Sequence, residues 1–112
     1  MSHRVTFKSN ITDPDLAKAA LIDCKMPFEP LSENVVRITG GPMANATINL
    51  QTGEAVSDSD YHSRADLEDL GGLRQAYSEA EFRRQAVRQG ATIESRKINE
   101  HGEVKILCRM HG

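Results

Sequence analysis

Gly90 separates two hydrophobic periods that no single element can satisfy. Before it, Leu73, Ala76, Tyr77, Ala80 and Val87 recur near the i, i+3, i+4, i+7 spacing, with Phe82 and Ala86 beside them. Arg74, Glu79, Arg83, Arg84 and Arg88 fall mostly elsewhere, so the spacing predicts one amphipathic helix from Leu73. Glu79 and Arg83 are four apart, close enough for an exposed ion pair worth roughly a few tenths of a kcal/mol. The late arginines suit the negative end of the helix dipole. Gly90 fits the residue after the helix, because a residue without Cβ turns left-handed at little cost.

After Gly90 the period becomes two. Thr92, Glu94, Arg96 and Ile98 share one predicted strand face and Ile93, Ser95 and Lys97 the other, which makes this strand thinly hydrophobic. Asn99-Glu100-His101-Gly102 carries a turn, with Gly102 at positive φ. The return strand, Glu103 to Met110, alternates Val104, Ile106 and Cys108 with Lys105, Leu107 and Arg109. Its stronger apolar content places it nearer the centre of a sheet.

A chain of 112 residues is long enough for one independent domain. Apolar content of 38% and charged content of 27% are those of a globular, soluble protein. The net charge of −2 offers no general attraction to nucleic acid or anionic membrane, and the absence of Trp argues against a base-stacking platform. No apolar run approaches the roughly 20 residues of a membrane span, and no secretory leader is visible, so a cytoplasmic location is expected. Cys24 and Cys108 lack metal or redox spacing and read as buried free thiols on apolar faces.

From the start of the chain, Arg4 to Lys8 alternates as a strand. Asp13-Pro14 then opens a helix, with Asp13 as N-cap, Pro14 at the first helical position and Asp15 favoured by the dipole. Leu16, Ala17, Ala20, Leu21 and Cys24 form its buried stripe, and Pro27 and Pro30 open a loop. Asn34 to Thr39, Asn45 to Gln51 and Glu54 to Val56 read as a three-stranded antiparallel meander with a turn at Thr52-Gly53. Ser57 to Gly72 is irregular and acidic, with Leu67 and Leu70 able to hold a short helical turn on the core. The order β-α-β-β-β-α-β-β predicts an α+β domain: an antiparallel sheet of about five to six strands with two helices on one face.

Few residues carry chemistry. Loss of Met1 would place the Ser2 amine beside the His3 imidazole, a pair able to chelate a divalent metal, although a hydrogen-bonded strand-edge histidine accounts for His3 as well. Asp58, Asp60, His62 and Asp66 offer ligands at short spacing, but a calcium loop needs Gly at its sixth place and Glu at its twelfth, where Ser63 and Asp69 stand. No metal site or cofactor is therefore expected. Gly40-Gly41-Pro42 and Gly71-Gly72 lack phosphate-loop spacing. Ser57, Ser59 and Ser63 near His62 and Asp66 lack the GxSxG elbow of a hydrolase. At the start of the main helix, Arg74 and Tyr77 can line an anion site, while Tyr77 fits equally as core with its hydroxyl satisfied at the rim.

Both ends carry a further pattern. The chain opens Met1-Ser2-His3, continues Lys8-Ser9-Asn10-Ile11 with Asp13 and a helix through Ala20-Leu21, and later runs Arg74-Gln75-Ala76-Tyr77, Gln89-Gly90 and Glu100-His101-Gly102-Glu103. In these stretches it resembles the uncharacterised family called hypothetical chloroplast reading frame thirty-five, found in plastids, cyanobacteria, other bacteria and phages. The resemblance implies no established activity or cofactor. It does imply an accessory role beside an ATPase of the AAA type, and it marks His3 and Lys8, on the opening motif, as candidate partner contacts with Arg74 and Tyr77.

The expected function is a non-enzymatic adaptor or regulatory module that binds a protein partner, with homodimerisation through the exposed edge of the last hairpin as one form of that binding. The alternative is a protein binding an anionic metabolite or nucleotide, such as a phage-encoded sponge. A metal-dependent enzyme would need His3, His62 and acidic neighbours to converge.

Overall fold

The computed structural model describes residues 3–110. In chain order the elements are β1 (Arg4–Lys8), α1 (Pro14–Asp23), β2 (Phe28–Pro30), β3 (Val35–Ile38), β4 (Thr47–Asn49), β5 (Glu54–Asp58), α2 (Arg64–Asp69), a 3-10 turn (Leu70–Gly72), α3 (Leu73–Arg88), β6 (Ala91–Ile98) and β7 (Val104–Met110). The fold is α+β. It divides into two compact units, Met1–Ser78 and Glu79–Gly112, with the boundary inside α3.

The first unit is built on a five-stranded antiparallel sheet in the order β1-β5-β4-β3-β2. Phe7 pairs with Ala55, Ala55 with Ile48, Ile48 with Val36, and Ile38 with Phe28, so one sheet face is a continuous apolar layer. Val36, Ile38, Ile48 and Ala55 are buried there with Ala17, Ala20 and Leu21 of α1. The other face is polar: Glu29 and Arg37 are register partners joined by an ion pair of 2.6 Å. Arg64 donates to the Thr6 carbonyl at 3.0 Å on the free side of β1, which blunts that edge of the sheet.

Asp13 caps α1, its carboxylate accepting from the Leu16 N–H, and Pro14 takes the first turn, where no donor is missed. The segment around Pro27 and Pro30, expected as loop, contributes β2, because Pro30 lies on the outermost strand, where a missing N–H costs no ladder bond. The short helical turn expected of the acidic stretch is present as α2, with Leu67 and Leu70 buried, and it is opened by a capping box in which the Ser63 hydroxyl accepts from the Asp66 N–H and the Asp66 carboxylate accepts from the Ser63 N–H. Gly53 turns β4 into β5 at φ +80°, and a Cβ there would meet the Ser9 carbonyl oxygen at 2.3 Å. Ser9 uses that approach, donating both its N–H and its hydroxyl to the Gly53 carbonyl.

In the second unit β6 and β7 form a two-stranded sheet of their own, so β7 does not occupy a sheet centre as its composition suggested. The hairpin loop explains the tight return: Gly102 donates to the Asn99 carbonyl at 3.1 Å with φ +79°, and Asn99 donates to the Glu103 carbonyl at 2.9 Å. Asn99 Oδ1 holds the loop by accepting from the His101 and Glu103 N–H groups, each at 2.9 Å. A second departure matters more. The register slips between Ile93 and Ser95, leaving Glu94 as the extra residue of a bulge. Side-chain parity reverses across it, so Ile93 and Ile98 lie on the same face rather than on opposite ones.

Candidate functional site

The bulge gives the hairpin two distinct faces. Pairing Ile93 with Cys108, Arg96 with Ile106 and Ile98 with Val104 collects most of the apolar residues of both strands on one side, with Arg96 among them, while Leu107 falls on the other side across from Ser95. Arg96 is drawn into a charge cluster: its Nε donates to one oxygen of the Glu79 carboxylate and its second guanidinium nitrogen donates to the other at 3.0 Å. Arg83 adds a third donor at 2.8 Å, one helical turn from Glu79. These bonds, that from Arg96 foremost, hold the Glu79 carboxyl below the usual glutamate range against a smaller upward push from burial. The pair of nitrogens on a pair of oxygens is a geometry that lysine cannot supply.

The opposite face is basic. Lys97 and Lys105 stand directly across from each other, a like-charge pair, and neither makes an ion pair among the described residues. Arg109 reaches Glu94 at 3.3 Å. The residues from Glu79 onward hold seven Lys and Arg against five Glu, whereas those through Ser78 hold seven against eleven acids, so the net charge of −2 for the whole chain is the sum of a basic unit and an acidic one.

Large apolar side chains of this hairpin remain uncovered. Ile98, Leu107 and Met110 are 55%, 57% and 61% exposed. β6 and β7 pair with each other and with no other described strand. An isolated two-stranded ribbon is marginal in water, and each strand here keeps one unpaired edge.

The four residues proposed from sequence do not converge. His3 is exposed, its backbone tied to Ser59: the His3 N–H donates to Ser59 Oγ at 3.1 Å and the Ser59 N–H to the His3 carbonyl at 2.7 Å. The Ser2 amine of the chelate idea lies outside the described residues. Lys8 is exposed at the far end of β1. Arg74 is exposed as well; its guanidinium lies 5.9 Å from the Phe7 ring centroid and donates to the Glu68 carbonyl at 2.9 Å. Tyr77 is core, and its hydroxyl oxygen accepts from the Asp13 and Thr12 N–H groups at 3.2 and 3.4 Å, beside the N-cap of α1.

The acidic stretch also sorts itself into separate tasks. His62 is buried, with Nε2 3.0 Å from the Pro42 carbonyl and Nδ1 2.6 Å from Ser57 Oγ. A carbonyl can only accept, so in the neutral ring Nε2 carries the hydrogen and Nδ1 accepts from the Ser57 hydroxyl. Ser57 is buried too, which makes the pair a polar tie between the end of β5 and the loop before β4. Asp66 is committed to Ser63, whose backbone N–H and then hydroxyl lower its pKa. Among the described residues no group of three or more His, Cys, Asp or Glu is placed to hold a metal ion. Cys24 and Cys108 are free thiols but only half-buried, not buried as expected; partial burial pushes the Cys24 thiol upward. No described helix is long and apolar enough to cross a membrane.

Comparison with known proteins finds no matching family model, no matching curated protein and no matching solved structure.

Proposed function

We propose that this protein is a non-enzymatic adaptor that engages a protein partner through its C-terminal helix and hairpin. One observation carries the proposal: a folded hairpin whose outer strand edges pair with no other described strand and which leaves Ile98, Leu107 and Met110 more than half exposed. Strand edges and uncovered apolar residues are what a protein surface can complete. The ATPase suggested by family resemblance belongs to this proposal only as one class of partner. A small-ligand role draws less support: the hollow of about 300 Å³ over Arg4, Thr47 and Asp58 is open to solvent and sets a carboxylate beside its arginine, and that of about 510 Å³ beside Leu21, Lys25 and Phe28 is more open still.

The test is affinity capture from the native host with the intact chain and with Leu107→Ser. Leu107 is exposed, so this change leaves the fold standing. The expected result is one near-stoichiometric partner held by the intact chain and lost by the variant. Capture of the same proteins by both, or of none across several growth states, overturns the proposal.

A further inference from the structure

We infer that the outer edge of β7 takes up an extended acidic segment of the partner as a third strand; this rests on the adaptor proposal and specifies its chemistry. The backbone comes first. Asn99 and Glu103 close the hairpin as a bonded pair, and bonded and non-bonded pairs alternate along an antiparallel ribbon. Counting from that pair, Val104, Ile106 and Cys108 direct their N–H and C=O groups away from β6. These form an uninterrupted row of donors and acceptors on a strand of seven residues. β6 offers no equal, because the Glu94 bulge breaks its row, a common device for closing an edge.

Side chains then choose the occupant. β7 contains no acid: Lys105 and Arg109 mark one face, Ile106 and Cys108 the other, and Lys97 stands across from Lys105. A second copy of the chain fits poorly, since the antiparallel register that pairs the whole of β7 with itself is centred on Leu107. That register sets Lys105 against Arg109 on both sides of the axis, and like charges directly opposed destabilise a sheet. A strand alternating apolar and acidic residues suits both faces at once. Its apolar residues would extend the layer of Ile106 and Cys108, and its carboxylates would relieve the opposed lysines.

The test uses the full chain and two end-capped peptides, one alternating valine with glutamate and one alternating valine with lysine, with binding followed by fluorescence anisotropy. The glutamate peptide is expected to bind about tenfold more tightly than the lysine peptide, the sum of a few cross-strand charge pairs. Lys105→Glu should reverse that preference. Ile106→Pro should abolish binding of both, because it removes an outward N–H that β6 does not use; amide spectra of the hairpin verify that the variant folds, and Lys105→Glu decides the matter if it does not. Equal binding of the two peptides, binding indifferent to both substitutions, or no binding at all overturns strand addition. So does sedimentation showing a dimer that Ile106→Pro dissolves, which would make a second copy the occupant. Loss of peptide binding while Leu107→Ser still releases the captured host partner removes strand addition alone; failure of both removes the adaptor proposal with it.

Discussion

β4 and β7 carry the same kind of message and meet opposite fates. Around β4, Ala46, Ile48 and Leu50 alternate with polar residues and are fully buried; along β7, Val104, Ile106 and Cys108 alternate with Lys105, Leu107 and Arg109 and stay half-buried. β4 lies between β3 and β5, whereas β7 has only β6 among the described strands. Alternation tells a strand which of its faces is apolar, and the number of neighbouring strands and layers determines whether that face is ever covered. The lesson is that the first unit spends its apolar residues on its own stability, while the second keeps several of them available.

The sharpest way to break this comparison is to truncate one leucine in each region. Leu50→Ala empties a fully buried site and should lower unfolding stability by about 3 kcal/mol, from the lost transfer energy and the cavity left behind. Leu107→Ala, at a residue already 57% exposed, should change stability by no more than about 0.5 kcal/mol. Urea titrations of both variants measure the difference. Similar losses would mean that β7 is covered in solution, and the contrast between the two strands would fall.

A smaller effect separates core from site at Tyr77. Its hydroxyl accepts two backbone N–H groups next to the N-cap of α1, so Tyr77→Phe leaves those donors without their partner and should cost about 1 kcal/mol. Hydrogen exchange should quicken first at Thr12 and Asp13. If stability is unchanged while partner capture is lost, Tyr77 belongs to the binding surface and the first unit is not purely structural.

Much of the architecture was legible in the sequence, and the losses have physical causes. Asp13-Pro14 announces α1 because cap and first-turn preferences act within four residues, and Gly90 and Gly102 mark reversals for the same local reason. The meander of β3, β4 and β5 follows from alternation and short turns. The separate hairpin was not legible, since β7 reads as a central strand whether or not partners exist for it. Nor was the bulge at Glu94: nothing local distinguishes the extra residue, and only the cross-strand register reveals that Ile93 and Ile98 share a face. The candidate site suffered from the same limit. Lys97 and Lys105 become a like-charge pair only once the register is known, and a net charge of −2 conceals that the residues from Glu79 onward are on balance basic. His62 could be noticed as a residue type, but its pairing with Ser57 and the Pro42 carbonyl depends on the loop before β4.

The finest contrast between the regions is one of acid sensitivity, because each holds a carboxylate with a lowered pKa and a different reason for it. Glu79 is lowered chiefly by its hydrogen bond from Arg96, and Asp66 by the Ser63 N–H and hydroxyl. For both, the folded value lies below the unfolded one, so the folded chain holds fewer protons in the interval between them. The stability each confers is complete above the unfolded value and is lost as pH falls through the folded value. Hairpin amides should therefore hold their protection down to the ordinary carboxylate range and lose it below. Glu79→Gln should lower their protection at neutral pH and flatten its acid dependence, while the amides of α2, governed by Asp66, keep theirs. The change should be the smallest of the three, since Arg96 and Arg83 are solvated and salt weakens exposed pairs. Hydrogen exchange read residue by residue across the acid range measures it. If Glu79→Gln also flattened the response of α2, Asp66 would not be what governs the acid response there, and the contrast between the two carboxylates would fall.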